Sequence, residues 1–260
     1  MLMSKIICIF AITIFQRQAN QTIKSLMKYV RTLTILTDAE IRQNEIPLFR
    51  GAVIQSLGEH PNVYFHNHLD NDKFRYAYPL IQYKRLGGKA AIVCVEDGVD
   101  IIGQFLTEVN GLLTIGERQI TCNTDSIQPA RILVQAWQDM FSYHISRWLP
   151  LNSKNYQSYK DIEGVVEKVT FLENILKANL LSMLKGLNIH LEKELILKIT
   201  EISDPYLMVN KGVKLMAFNA DFKCNLSIPN NIGIGKNASI GCGIVHQVKI
   251  EKDINNNSNQ

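Results

Sequence analysis

Arg75-Tyr-Ala-Tyr-Pro-Leu-Ile-Gln-Tyr-Lys84, then Arg85-Leu86-Gly87-Gly88, then Lys89-Ala-Ala-Ile-Val-Cys-Val95 is the stretch that decides the fold. The first segment is rich in aromatics and reads as a strand; the last is an unbroken apolar run of the kind buried in a sheet. Two glycines between them make a hairpin-like connection. Upstream, Tyr29 to Thr37 alternates with β-branched residues and predicts a half-buried strand. Glu45 to Leu57 places apolar residues at helical spacing, with Pro47 tolerated in a first turn. Asn62 to His66, after Pro61, reads as extended. Downstream, Gly98 to Glu108 predicts a helix and Gly111 to Ile115 a short strand. This is the βαββαβ order of a ferredoxin-like unit, with the extra strand near residue 64 leaving its pairing open.

A second set follows. Met140 to Trp148 reads as a strand, and Leu149 to Tyr156 breaks the pattern. Glu163 to Gly186 is the longest predicted helix, with an apolar stripe of Val165, Val166, Phe171, Ile175, Leu176 and Leu180, and Gly186 as its C-cap. Glu194 to Ile202, Val213 to Leu226 and Ile244 to Ile250 complete the set as strands. The expected fold is α+β: two tandem ferredoxin-like (RRM-like) domains over 27–116 and 140–252, joined by a linker at 117–139. The second carries a glycine-rich loop at 230–244, and 253–260 is a polar tail.

Composition agrees with two domains. The chain has 260 residues, 46% of them apolar and 20% charged, enough to build full cores. Twenty-eight Lys and Arg against 24 Asp and Glu leave a net charge of +4, too small for binding by bulk charge. A membrane channel, a disulfide scaffold and a polybasic tail protein are excluded. Cys8, Cys94, Cys122, Cys224 and Cys242 are odd in number and widely spaced, and read as buried thiols of a reducing compartment. Ile6 to Phe15 has the length of a signal-peptide core but no convincing cleavage site follows. Residues 1–26 are therefore read as an upstream extension, with translation starting at Met27.

Two segments could carry chemistry. In an extended chain His66 and His68 share a face, because strand side chains repeat every second residue. Paired imidazoles suit proton transfer near neutral pH. They equally suit a metal with Asp70 and Asp72, though no third His or Cys lies close. Two surface histidines on a loop end are the plain alternative. Around them Lys73, Arg75, Lys84, Arg85 and Lys89 interleave with Tyr76, Tyr78 and Tyr83, as phosphate contact and base stacking require. Ordinary strand packing claims at least one of those tyrosines. The second segment, Asn230 to Ile244, holds four glycines in eleven positions, Gly233, Gly235, Gly241 and Gly243. No Asp or Glu occurs from Phe222 to Lys249, while Lys223, Lys236 and Lys249 do. That is a local bias toward anions. A loop used only for turning is the competing reading.

The glycine-rich segment resembles that of the CRISPR-associated repeat-processing endoribonucleases, the Cas six family. Ile46-Pro-Leu-Phe-Arg50-Gly51-Ala-Val-Ile54, His66-Asn67-His68 and Phe74 to Lys84 resemble its "b" branch. The resemblance implies two ferredoxin-like domains and metal-independent cutting of precursor RNA at CRISPR repeats, leaving a 2′,3′-cyclic phosphate and a 5′-hydroxyl. It implies catalysis by His66 and His68, with Tyr76, Tyr78 and Lys84 as candidate support. RNA contact is expected from Arg50, Lys73, Arg75, Tyr83, Arg85, Lys89, Gly233, Gly235, Lys236, Asn237, Ser239, Gly241 and Gly243. The expected partner is the CRISPR repeat RNA, with other CRISPR-associated effector subunits as further candidates and no membrane. No cofactor or metal is expected, the setting is cytoplasmic, and the protein is a monomer or homodimer. The alternative is a non-catalytic RNA-binding subunit. His60, His144, His190 and His246 read as structural, with His246 close enough to the glycine loop for RNA contact.

Overall fold

The computed structural model describes residues 28–58, 62–66, 68–69, 73–74, 78–108, 111–210 and 212–248. The amino-terminal apolar run and the polar tail lie outside them. The first unit starts with β1 (Tyr29–Glu40) and, after a 3-10 turn, α1 (Ile46–Ser56). Pro47 sits in the first turn of α1, and Ile46, Phe49, Ala52 and Val53 form its buried face. Two short pieces follow, α2 (Val63–His66) and the hairpin β2 (His68–Leu69) with β3 (Lys73–Phe74). Then come β4 (Ile81–Leu86) and β5 (Lys89–Val95), joined through Gly87 and Gly88 at φ 56° and 90°. Positive φ at both central residues is what a two-residue hairpin of matching twist requires. The strand expected over Arg75 to Lys84 therefore begins later, at Ile81.

The predicted helix from Gly98 is two short ones, α3 (Asp97–Ile101) and α4 (Gly103–Glu108). Next come β6 (Leu112–Ile115), β7 (Arg118–Thr121) and β8 (Thr124–Leu133). The main sheet runs β4-β5-β1-β8, which is ferredoxin-like order, and β6 pairs with β7 outside it. This corrects the expected linker: 117–139 is taken up by β7, β8 and the start of the next strand rather than by a tether, and β8 pairs with β1 from Tyr29↔Leu133 to Thr37↔Thr124. As an edge strand, β8 tolerates Pro129 and is mostly exposed, so it carries no apolar alternation.

The second unit is β9 (Ala136–Trp148), α5 (Ser153–Asp161), α6 (Val165–Gly186), β10 (Leu197–Ile202), β11 (Tyr206–Asn210), β12 (Val213–Leu226) and β13 (Ile244–Gln247). Its sheet order, β10-β12-β9-β13, repeats that of the first. In place of a second helix, residues 227–243 cross over as the glycine-rich loop. The unpredicted α5 is capped by the Asn152 side chain, which accepts from the Asn155 N–H at 2.8 Å. On α6 the buried face is Leu172, Leu176, Leu180, Met183 and Leu184, while Val165 and Val166 are 76% and 74% exposed. The expected stripe thus starts a turn late.

The two sheets share a core. Residues Leu33 and Ile35 of β1 face α1, with Tyr83, Ile92 and Phe49. Val30, Val93 and Val95, on the opposite face, pack into the second unit's core with Leu172, Leu176 and Ile145. Cys94, Cys122, Cys224 and Cys242 are buried free thiols. Among the described residues no helix is long and apolar enough to cross a membrane.

Candidate functional site

The His66–His68 segment departs from its expected form. Asn62 caps a helical turn instead of opening a strand: its side chain accepts from the Tyr64 N–H at 3.1 Å, and its carbonyl from the Phe65 N–H at 2.9 Å. Phe65 is buried in the first core, which anchors the turn. His66 therefore ends α2 and His68 opens β2, paired to Phe74 with Lys73 opposite Leu69. The two histidines flank a helix-to-strand junction and are not on one strand. Asp70, Asp72, Arg75 and Tyr76 lie outside the described residues.

The glycine-rich loop docks on β4. The Gly233 N–H donates to Gln82 Oε1 at 2.7 Å, and the Tyr78 hydroxyl donates to the Gly233 carbonyl at 3.0 Å. The Tyr83 N–H donates to the Ser239 carbonyl at 2.8 Å, and Tyr83 bridges to Ile240. The glycines permit close approach: a Cβ on Gly243 would lie 1.9 Å from the Ile234 carbonyl oxygen, and one on Gly235 2.7 Å from Asn179 Oδ1. Gly186 has the same use rather than that of a cap, since its Cβ would meet Tyr78 Cβ at 2.4 Å. Several loop N–H groups are spent within the protein: Ile234 on Gly243, Gly243 on Arg147, and Cys242 on Asn237. Lys236 remains exposed at the loop's tip.

Other basic and aromatic candidates separate by burial. Tyr83 is a correction: at 0% exposure, edge-on to Phe49 at 5.9 Å, it is core and offers no stacking face. Tyr78 is a strut between the halves, and burial raises its phenol, so it does not ionise near neutral pH. Arg50 lies half-buried near the Tyr83 phenol. Lys89 is at the surface, paired with Asp125 at 2.9 Å. Lys84 is fully buried where the halves meet, its Nζ without a hydrogen-bond partner, and burial lowers its pKa to about 7.

Between the sheets opens a cleft of about 510 Å³. Thr34, Leu36, Arg85 and Gln128 line it from the first unit, and Ser146, Arg147, Asn231 and His246 from the second. Arg85 is exposed there and donates Nε–H to the Ile41 carbonyl at 2.7 Å. His246 stands beside His144 across β13 and β9, and His144 Nδ1 meets Asp221 Oδ1 at 2.6 Å. Burial, then His144, then Lys84 lower the His246 pKa. Arg147 and Gln43 escaped the sequence reading. Arg147 closes an aromatic strand, and only the sheet pairing brings it opposite Arg85.

The N-terminal domain model of Cas6b matches residues 27–132, and the C-terminal domain model of Cas6b matches 135–248. The chain belongs to the Cas6b family. Both models meet where β8 gives way to β9, the boundary that the shared ferredoxin-like order also marks. An uncharacterized protein of Methanocaldococcus jannaschii is 39% identical over 113 residues, 43% of this chain and 76% of that protein. Among solved structures, a crystal structure of Cas6b is similar with a TM-score of 0.77 at 24% identity, over 85% of this chain and all of the other. A second, titled CRISPR RNA processing endoribonuclease Cas6b, gives 0.66 at 22% identity over the same shares. These two likenesses support the Cas6b fold. Among the described residues no group of three or more His, Cys, Asp or Glu could hold a metal ion.

Proposed function

We propose that this chain binds CRISPR repeat RNA and cuts the precursor into guide units, with His66 and His68 as general base and acid. The observation that carries the reading is the tandem match to both Cas6b domains along one chain. One imidazole takes the proton of a 2′-hydroxyl, whose oxygen attacks the adjacent phosphorus in line. The other protonates the departing 5′-oxygen, so the products are a 2′,3′-cyclic phosphate and a 5′-hydroxyl. A nearby cation stabilises the extra charge on the phosphorane, and no metal is needed for either proton transfer. His66 and His68 lie two residues apart in sequence, which suits two imidazoles serving one phosphodiester. Exposed Lys236 and Arg85, with the half-exposed Lys89, are the described basic residues best placed to meet the RNA backbone.

Single-turnover cutting of end-labelled repeat RNA tests this. His66→Ala and His68→Ala should each slow cutting by about 10²–10⁴-fold while retaining RNA affinity, and the wild type should stay active in EDTA. Full activity in the double variant would sink the histidine assignment. A shifted band without product from the wild type would instead mark an RNA-binding subunit.

A further inference from the structure

The cleft between the two sheets gathers cations and unpartnered donors, with no carboxylate among the described residues that line it. Arg85 enters from the hairpin of the first unit and Arg147 from β9 of the second, close enough that each repels the other. Lys84 lies beneath the floor, fully buried, with Arg147 also disfavouring its charge. Arg147 Nη1, Lys84 Nζ and Gln43 Nε2 are all buried without a hydrogen-bond partner. Every one is a donor, and no carboxylate lines the cleft among the described residues. Buried donors are ordinarily paired, because an unmade bond costs about 1–3 kcal/mol.

The backbone adds a second, independent sign. Arg147 sits at φ 56°, where a side chain other than glycine is strained, next to a register shift between β9 and β12. Its N–H is held by Asn219 Oδ1 at 2.8 Å, and its carbonyl accepts from Gly243 at 3.1 Å. The strand is bent and pinned so that this guanidinium leaves the sheet pattern and turns into the cleft.

The geometry points to an oxyanion site: the cleft takes one phosphate-class group between Arg85 and Arg147, with Lys84 beneath it as the balancing charge. A tetrahedral oxyanion accepts from several donors at once, which converts mutual repulsion into charge-assisted bonds. The chemistry of the site stands apart from the histidine assignment. Only the source rests on the proposed function, being either a phosphodiester of bound RNA or free phosphate.

Two measurements separate these cases. First, the thermal midpoint of the full chain is followed in sodium phosphate against sodium chloride at matched ionic strength, for wild type, Lys84→Met, Arg147→Gln and Arg85→Gln. Phosphate should raise the wild-type midpoint and lose that effect in the variants. Because Arg85 is exposed, Arg85→Gln keeps the test open if a buried variant fails to fold. Second, repeat RNA is titrated against the same substitutions on a His66→Ala, His68→Ala background. If the source is RNA, affinity falls about 10- to 100-fold per substitution and phosphate competes with RNA. If it is free phosphate, the wild-type midpoint shift persists and Arg147→Gln and Lys84→Met keep their RNA affinity; Arg85, which also faces the RNA in the proposed function, is read only in the midpoint measurement. The absence of both a phosphate-specific shift and a loss of RNA affinity would overturn the site, whether or not the RNA is cut.

Discussion

Lys84 carries the sharpest energetic statement of any single residue. It is at 0% exposure, its ammonium has no partner, and burial brings its pKa from 10.5 to about 7. The unfolded chain keeps the ordinary value, so between pH 7 and 10.5 it binds more protons than the native protein does. Its contribution to stability then rises with pH across that window, and its full penalty, on the order of a few kcal/mol, applies below pH 7. Of the facing groups, Arg147 stays charged, His246 is lowered, and Cys242, raised by burial, acts in the opposite sense toward the top of the window; all three are common to wild type and variant, so the difference between them isolates Lys84. Lys84→Met should therefore be more stable than wild type in urea at pH 6, with the gap closing toward pH 10. A gap of zero at pH 6 would remove the buried charge from the account. The sequence could not show this burial. Alternation along β4 sends Tyr83 toward α1 and Lys84 toward the second unit, and because both faces are covered, neither residue is a surface contact.

At the scale of elements, the glycine-rich loop shows what its spacing meant. Gly243 combines φ +59° with a carbonyl oxygen 1.9 Å from its would-be Cβ, so any side chain must displace Ile234. Gly212 has φ +77° and open space, so Gly212→Ala meets only the backbone cost, about 1–2 kcal/mol. Gly243→Ala should exceed it by at least about 2 kcal/mol in chemical unfolding, and equal costs would show that the loop is not packed as described. The loop was visible in the sequence as four close glycines; its docking on Gln82 and Tyr83 was not, since that depends on contacts some 150 residues apart. Likewise β1, α1, β5, α6 and β12 were legible from apolar periodicity. Edge strand β8 was not, because Pro129 and its exposed polar residues erase the period-two signal. Nor was α2, where an Asn62 cap outweighs the extended tendency after Pro61. The paired histidines were legible as residue types, and the change of element between them was not.

For the molecule as a whole, the first sheet is sandwiched: α1 covers one face and the second unit covers the other. Val30, Val93 and Val95 complete the core built by α6 and β9, so each half buries apolar surface that belongs to its neighbour. Polar links follow the same seam, with Gln82 receiving the Gly233 N–H and donating to Tyr78 at 2.9 Å. Burial of each valine contributes about 1.5–3 kcal/mol, a large share of the stability that a domain this size possesses. The halves should not be independent folding units despite their repeated topology. Expressed separately, residues 1–133 and 134–260 should bind a hydrophobic dye and lack a cooperative thermal transition, and mixing them should restore one transition and release the dye. A sharp, dye-silent transition in residues 1–133 alone would show that the open face of the first sheet needs no cover. With cover required, the cleft beyond the valines is the part of the seam left open, and its two walls keep their spacing only while the shared core holds.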